Sequence, residues 1–426
     1  MHSHISEFQL RPSKFKLSKI RLNSETYMCI WLYFIFITSF VLTNTVKGTT
    51  VAFIMAYIGI VIPLMVRSSK AYFFYRILFW LLVIYILLCV FSQIAVFVYQ
   101  SDFPPSKGLI LISYESSFFL RSSLFTQSLY IIPSFSLLSY IMIYFRPKYQ
   151  KHLEYALWIF VGFGFYDTFF YILFKKNGDF LSNRIFGDGI LNPGQFQLFN
   201  LLGIELKRFV SLTGEPSMYV FAIFPFFVYF LYQKKIKLSI FLGISLLLTF
   251  SGTFILAMFL LALLHFIIVE RNLKQAIIIL ILCGSFIAII PGDFLNLFLK
   301  DLLFDKINQE SLSGIERTQN FVDQIAFYQR LPLINKFFGV GFGTVRSTDL
   351  FSTLLVNTGI VGFLSFSALF SFPLFRLPKS DNGLRIALII TYLILQISVS
   401  EYSYPALWLL LGLAYNKVDF KLKSEL

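Results

Sequence analysis

Two polar stretches interrupt an otherwise apolar chain, and they hold the residues best suited to chemistry. The first, Arg208-Phe-Val-Ser-Leu-Thr-Gly-Glu215-Pro-Ser217, sets a guanidinium and a carboxylate ahead of an apolar run. The second spans residues 292–350 and carries Glu316, Arg317, Asp323 and Arg330, then Gly339-Val-Gly-Phe-Gly343, Arg346 and Asp349. A guanidinium is a planar, permanently charged fork that fits phosphate bidentately. Arg208, Arg317, Arg330 and Arg346 are therefore candidate phosphate-binding groups, with Arg184 and Lys207 beside the first stretch, and Arg208 and Arg317 form the favoured pair. Contact with lipid headgroups, or a salt bridge at the rim, is the competing role for each. Glu215 is a candidate general base or the partner that aims Arg208. It also precedes Pro216, a residue suited to a first helical turn, so a helix cap is the structural alternative. Asp349 is the second candidate base, with an N-cap as its alternative.

The glycine cluster resembles a phosphate loop only superficially. Such loops need a preceding strand and a βαβ unit, and apolar runs of helical length surround this one. It reads as a turn that lets backbone approach a ligand or a neighbouring helix, with N–H groups available to a diphosphate. Asp167 falls inside an apolar run, where a carboxylate is by default a functional candidate. The apolar spacing of Phe321, Val322, Ile325 and Tyr328 predicts an amphipathic helix lying on the membrane surface, as does that of Leu295, Phe298, Leu299, Leu302 and Leu303.

These segments need a scaffold, and composition indicates which. Of 426 residues 57% are hydrophobic and only 14% charged, outside the range of soluble domains. Apolar runs at about 27–46, 50–66, 77–98, 123–145, 153–174, 217–232, 238–251, 253–269, 276–291, 351–375, 386–399 and 403–416 predict an all-α polytopic membrane protein of about 12 transmembrane helices. The net charge of +14 is gathered in the N-terminal tail and in every second connection, such as Arg67 to Lys70, Arg146 to Lys151 and Lys234 to Lys237. This pattern puts both termini in the cytoplasm and argues against a nucleic-acid partner. One membrane domain over 1–426 follows, with large extracytoplasmic loops at 175–216 and 292–350 and a smaller one at 99–122. Three cysteines in apolar runs and four scattered histidines give neither a disulfide framework nor metal-ligand spacing. No metal or cofactor is expected. An enzyme on the outer face has no nucleotide to draw on, so its substrate must arrive activated, and lipid-linked substrates are the commonest of that kind.

Three segments in this order resemble the bacterial polysaccharide polymerase and ligase superfamily, which includes the Wzy-type O-antigen polymerases and the O-antigen ligases. They are Arg208 to Ser217; Leu246-Leu-Leu-Thr-Phe-Ser-Gly252; and Arg317 through Pro332 and Gly339-Val-Gly341 to Asn357-Thr-Gly-Ile-Val-Gly362. The resemblance implies glycosyl transfer from an undecaprenyl-diphosphate-linked oligosaccharide on the outer face of the bacterial inner membrane, in lipopolysaccharide or similar glycan biosynthesis. Arginines of the two large loops would hold the diphosphate. Membrane lipid and a chain-length regulator protein are the further expected partners. The ligases carry a histidine just before the span that follows the large loop, and Val345-Arg-Ser-Thr-Asp349-Leu350 has none. A polymerase is therefore the favoured expectation, with an O-antigen ligase or a polysaccharide flippase as alternatives.

Overall fold

A computed structural model describes residues 23–43, 48–65, 68–99, 118–184, 198–201, 204–275, 277–278 and 312–418, the side chains of 199–201, 204 and 312–317 excepted. The expected amphipathic segment at 295–303, nearly all of the expected span at 276–291 and most of the 99–122 loop lie outside them. The described chain is mostly helical, with almost no strand. In order the helices are α1 (Ser24–Leu32), α2 (Val51–Val61), α3 (Ser69–Tyr99), α4 (Ser122–Tyr144), α5 (Gln150–Phe174), α6 (Pro216–Tyr232) and α7 (Ile236–Leu247). They continue with α8 (Gly252–Leu264), α9 (Leu312–Arg330), α10 (Leu333–Phe338), α11 (Leu350–Arg376), α12 (Asn382–Ile397) and α13 (Pro405–Lys417). A short antiparallel hairpin, β1 (Leu198–Leu201) and β2 (Ile204–Lys207), stands ahead of α6.

Five helical stretches are long and apolar enough to cross a bilayer: Ser69–Tyr99, Ser122–Tyr144, Pro147–Phe174, Gly252–Val269 and Leu350–Arg376. Large apolar side chains such as Phe79, Ile94, Phe97, Phe169, Leu173 and Leu364 stay on the outside of the bundle. So broad an apolar exterior would aggregate in water and is at home in lipid. The chain is a helical membrane protein. Its core is aromatic, with Trp31, Phe36, Tyr140, Tyr219, Phe221, Phe224, Phe226 and Trp408 almost fully buried.

The first apolar run departs from a continuous span. Its helix stops at Leu32, and the chain then winds through turns to Val41, which pairs with Thr50. The cause is tertiary. The N–H groups of Thr38 and Ser39 both donate to Leu212 O, at 2.9 and 3.0 Å, which a regular helix would not permit. Helix α9 also differs from a surface-lying amphipath. Phe327 packs with Leu331, Val340, Val345 and Val356 in a second small core, while Phe321 and Val322 face outward.

The glycine turn is a helix-packing device. Helix α11 is kinked at Gly359, whose φ of 65° only glycine adopts easily. The kink frees two carbonyls, and the turn fills them: Val340 N donates to Val356 O at 2.9 Å and Gly341 N to Asn357 O at 3.0 Å. Gly339 N donates to Asn335 O at 2.7 Å. These three N–H groups are thus committed to protein carbonyls rather than to a ligand. A Cβ on Gly339 would collide with the Asn357 backbone, and one on Gly359 with Phe337 O. Either Gly339→Ala or Gly359→Ala is expected to lower the melting temperature in detergent, because a non-glycine residue there costs on the order of 1–3 kcal/mol in backbone strain alone. Gly162→Ala, where an added Cβ meets nothing within 4 Å, is the matched control and is expected to be neutral or to stabilise by about 0.5–1 kcal/mol. Equal melts for the three variants would contradict this packing role.

Candidate functional site

One cavity of about 590 Å³ opens where the N-terminal ends of several helices meet. Thr50, Glu215 and Tyr404, the N-cap residues of α2, α6 and α13, all line it. Each such end carries a partial positive charge and unsatisfied N–H groups, so the cavity favours anions before any side chain is counted.

Two guanidinium groups enter it from separate segments. Arg184 arrives from the chain that follows α5. The Asn183 amide exchanges two hydrogen bonds of 2.8 Å with Val41, and Arg184 N donates to Ser39 O at 3.0 Å. Arg184 Nη1 then reaches Thr38 O at 3.3 Å. Arg346 arrives from the glycine turn. The Asn357 side chain grips Val345 on both sides, accepting from its N–H at 2.8 Å and donating to its carbonyl at 2.9 Å. That grip fixes the direction in which Arg346 leaves the backbone. Burial pushes the guanidinium pKa of both residues down, and Arg184 pushes that of Arg346 down further. Both cations line the one cavity, and the Glu215 carboxylate acts on both in the opposite sense.

Two carboxylates face the arginines. Glu401, in the connection between α12 and α13, is ion-paired with Arg346 Nη2. The other N–H donors of Arg346 make no hydrogen bond among the described residues. Glu215 holds the N-cap position of α6, yet its side chain makes no capping bond and turns to the cavity instead. Tyr130, Tyr402 and Tyr404 complete the wall. The Tyr404 hydroxyl lies 2.8 Å from Thr38 Oγ1, and Tyr402 donates to Gln127 Oε1 at 3.0 Å. The arrangement offers two cations for a dianion, one uncommitted carboxylate for a proton, and hydroxyl-bearing rings of the kind that pack against sugars. No cluster of three or more His, Cys, Asp or Glu able to hold a metal occurs among the described residues.

Of the residues singled out by sequence, Arg184, Glu215 and Arg346 line this cavity. Arg208 does not: its Nε donates to Thr249 O at 2.9 Å and its Nη2 to Phe250 O at 2.8 Å, in the turn that follows α7. Burial brings the Arg208 pKa down to about 10, with Glu215 opposing the fall, so it stays charged at neutral pH. Arg330 is exposed in the last turn of α9, outside the cavity lining. Arg317 belongs to the same helix, and its side chain lies outside the described residues. Asp349 caps α11: Oδ1 accepts from Ser352 N at 2.7 Å, and Oδ2 accepts from Ser347 Oγ at 2.7 Å and Ser352 Oγ at 2.8 Å. Asp167 pairs with Lys207 at 2.6 Å, the residues being 2% and 6% exposed, and also accepts from Gly178 N at 2.9 Å. That pair pins the hairpin and the segment leading to Arg184 onto α5. Glu401 and the tyrosines around it were not singled out; a lone carboxylate in a short connection was their one visible signal.

Two stability measurements check these assignments. Lys207→Ala is expected to cost about 3–5 kcal/mol, because it leaves Asp167 as an unpaired buried charge, and Asp167→Leu/Lys207→Met is expected to recover most of that. Asp349→Ala is expected to cost about 1–2 kcal/mol as a lost cap, whereas Glu215→Gln, which gives up no capping bond, is expected to cost less. The reverse order for Asp349 and Glu215 would exchange their roles. Comparisons with protein-family models, with curated proteins and with solved structures found no match for this chain.

Proposed function

We propose that the chain is a glycan polymerase of the outer face of a bacterial cytoplasmic membrane, joining oligosaccharide blocks carried on undecaprenyl diphosphate. The observation that carries this reading is the meeting of Arg184 and Arg346, from two distant segments, in one cavity with Glu215. Orientation supports it. Gln127 and Tyr130 of α4 line the cavity, while the other end of α4 leads into Arg146, Lys148 and Lys151, about 18 Å further along the helix from Tyr130 to Met142. With about twelve spans and the basic connections in the cytoplasm, the cavity opens outward, where a lipid-borne donor is the available activated sugar.

In the reaction a hydroxyl of the acceptor glycan attacks the anomeric carbon of the donor. The new C–O bond forms as the bond to the lipid diphosphate breaks. Glu215 takes the hydroxyl proton, since Asp349 is occupied as a cap and Glu401 holds Arg346. The diphosphate leaves with its negative charge facing Arg184, the spare donors of Arg346 and the helix ends, which are already in place and need no reorganisation. A chain-length regulator is the expected protein partner.

Replacement of the chromosomal copy tests this. Arg184→Gln, Arg346→Gln and Glu215→Gln are each expected to reduce long surface glycan by about 10²-fold or more, with single blocks still displayed, while Arg330→Gln behaves as the parent. Normal chain lengths from a stably inserted Arg184→Gln/Arg346→Gln protein would overturn the proposal. Full-length glycan that is made but not attached would indicate a ligase.

A further inference from the structure

At the end of the bundle opposite the cavity lies a second concavity, of about 640 Å³, between the early turns of α3 and the last turns of α4 and α13. Its floor is apolar, built from Ile77, Trp80 and Ile84 of α3 with Ile143 of α4. Its rim is basic, with Arg76 from α3, Arg146 just beyond α4 and Lys417 at the end of α13. Lys417 Nζ lies 3.6 Å from Asp381 Oδ1. Arg76 and Arg146 are exposed and make no ion pair among the described residues. Three cations from three elements therefore gather at one end of an apolar groove, with one carboxylate paired to them.

The spacing along α3 gives the groove a direction. Arg76, Trp80 and Ile84 follow at intervals of four, so they stack along one helix face. A ligand lying there would meet charge first and hydrocarbon afterwards. A soluble anion would gain nothing from the floor, and a zwitterionic lipid would bring its own cation to the rim. A phosphate-bearing lipid of net negative charge matches both halves. We infer that this groove holds one anionic glycerophospholipid, its phosphate between Arg76 and Arg146 and an acyl chain along Ile77, Trp80 and Ile84. The site stands apart from the cavity and does not depend on what the cavity does.

Trp80 supplies a reporter, being 56% exposed, while Trp31 and Trp408 are 1% exposed. Trp158→Phe removes the remaining exposed indole. In vesicles that mix ordinary lipid with acyl-brominated lipid, Trp80 of this protein is expected to be quenched at a roughly three- to tenfold lower mole fraction of brominated phosphatidylglycerol than of brominated phosphatidylcholine. Arg76→Gln/Arg146→Gln is expected to bring the two curves together while leaving the phosphatidylcholine curve unchanged. A Trp80→Phe protein that keeps Trp158 is expected to show no preference. Identical curves for Trp80 in the parent, or a preference that survives the double substitution, would overturn the inference. Should the double variant fail to insert, the parent in 1 M salt serves instead: screening is expected to shrink the preference, and a preference untouched by salt would overturn it.

Discussion

Two guanidinium groups share one cavity, and their repulsion is the constraint that the surrounding structure has to meet. Arg184 and Arg346 each lose water on entering it, and Arg184 raises the cost of charge on Arg346. The helix ends around them add positive potential rather than relieving it. Relief comes from Glu401, bound to Arg346, and from Glu215, which faces both arginines without being bound to either. Such a site is poised for a dianion. Electrostatic preorganisation of this kind is the largest single contribution in many enzymes, because the fixed charges do not have to rearrange when the ligand's charge develops.

Holding like charges together requires backbone that cannot drift, and three devices supply it. The first apolar run is broken so that Thr38 and Ser39 can bond Leu212 on one side and receive Arg184 on the other. The kink at Gly359 accepts the glycine turn, and Asn357 then clamps Val345. The buried Lys207–Asp167 pair fastens the hairpin to α5. Thr38, Val345 and Asn357 of the first two line the cavity, and the Lys207–Asp167 pair stands outside its lining.

Much of the scaffold was legible in sequence because apolar run length and helix position are tied by the same cause, the need to satisfy backbone groups away from water. The helices from α3 to α8 and from α11 to α13 lie where the runs lie. The break after Leu32 was not legible, since Tyr33 to Val41 is apolar enough to continue and only distant hydrogen bonds stop it. The fate of Arg208 was hidden for a related reason. A guanidinium suits a phosphate or a pair of backbone carbonyls equally well, and the turn at Thr249 and Phe250 offers the latter. Glu215 and Arg346 could be found by type and position. Arg184 was visible as a candidate but had no feature to rank it above its neighbours. Glu401 lay in a connection notable only for lacking basic residues.

The proposed polymerase requires a lipid-borne diphosphate to meet Arg184 and Arg346 together. The most direct measurement is equilibrium binding of a short-chain polyprenyl diphosphate to the purified protein, with the corresponding monophosphate as comparison. Salt-sensitive binding that prefers the diphosphate and falls by about 100-fold in the Arg184→Gln/Arg346→Gln protein, equivalent to roughly 2.7 kcal/mol, is the expected result. Binding of undiminished strength in that double variant would contradict it.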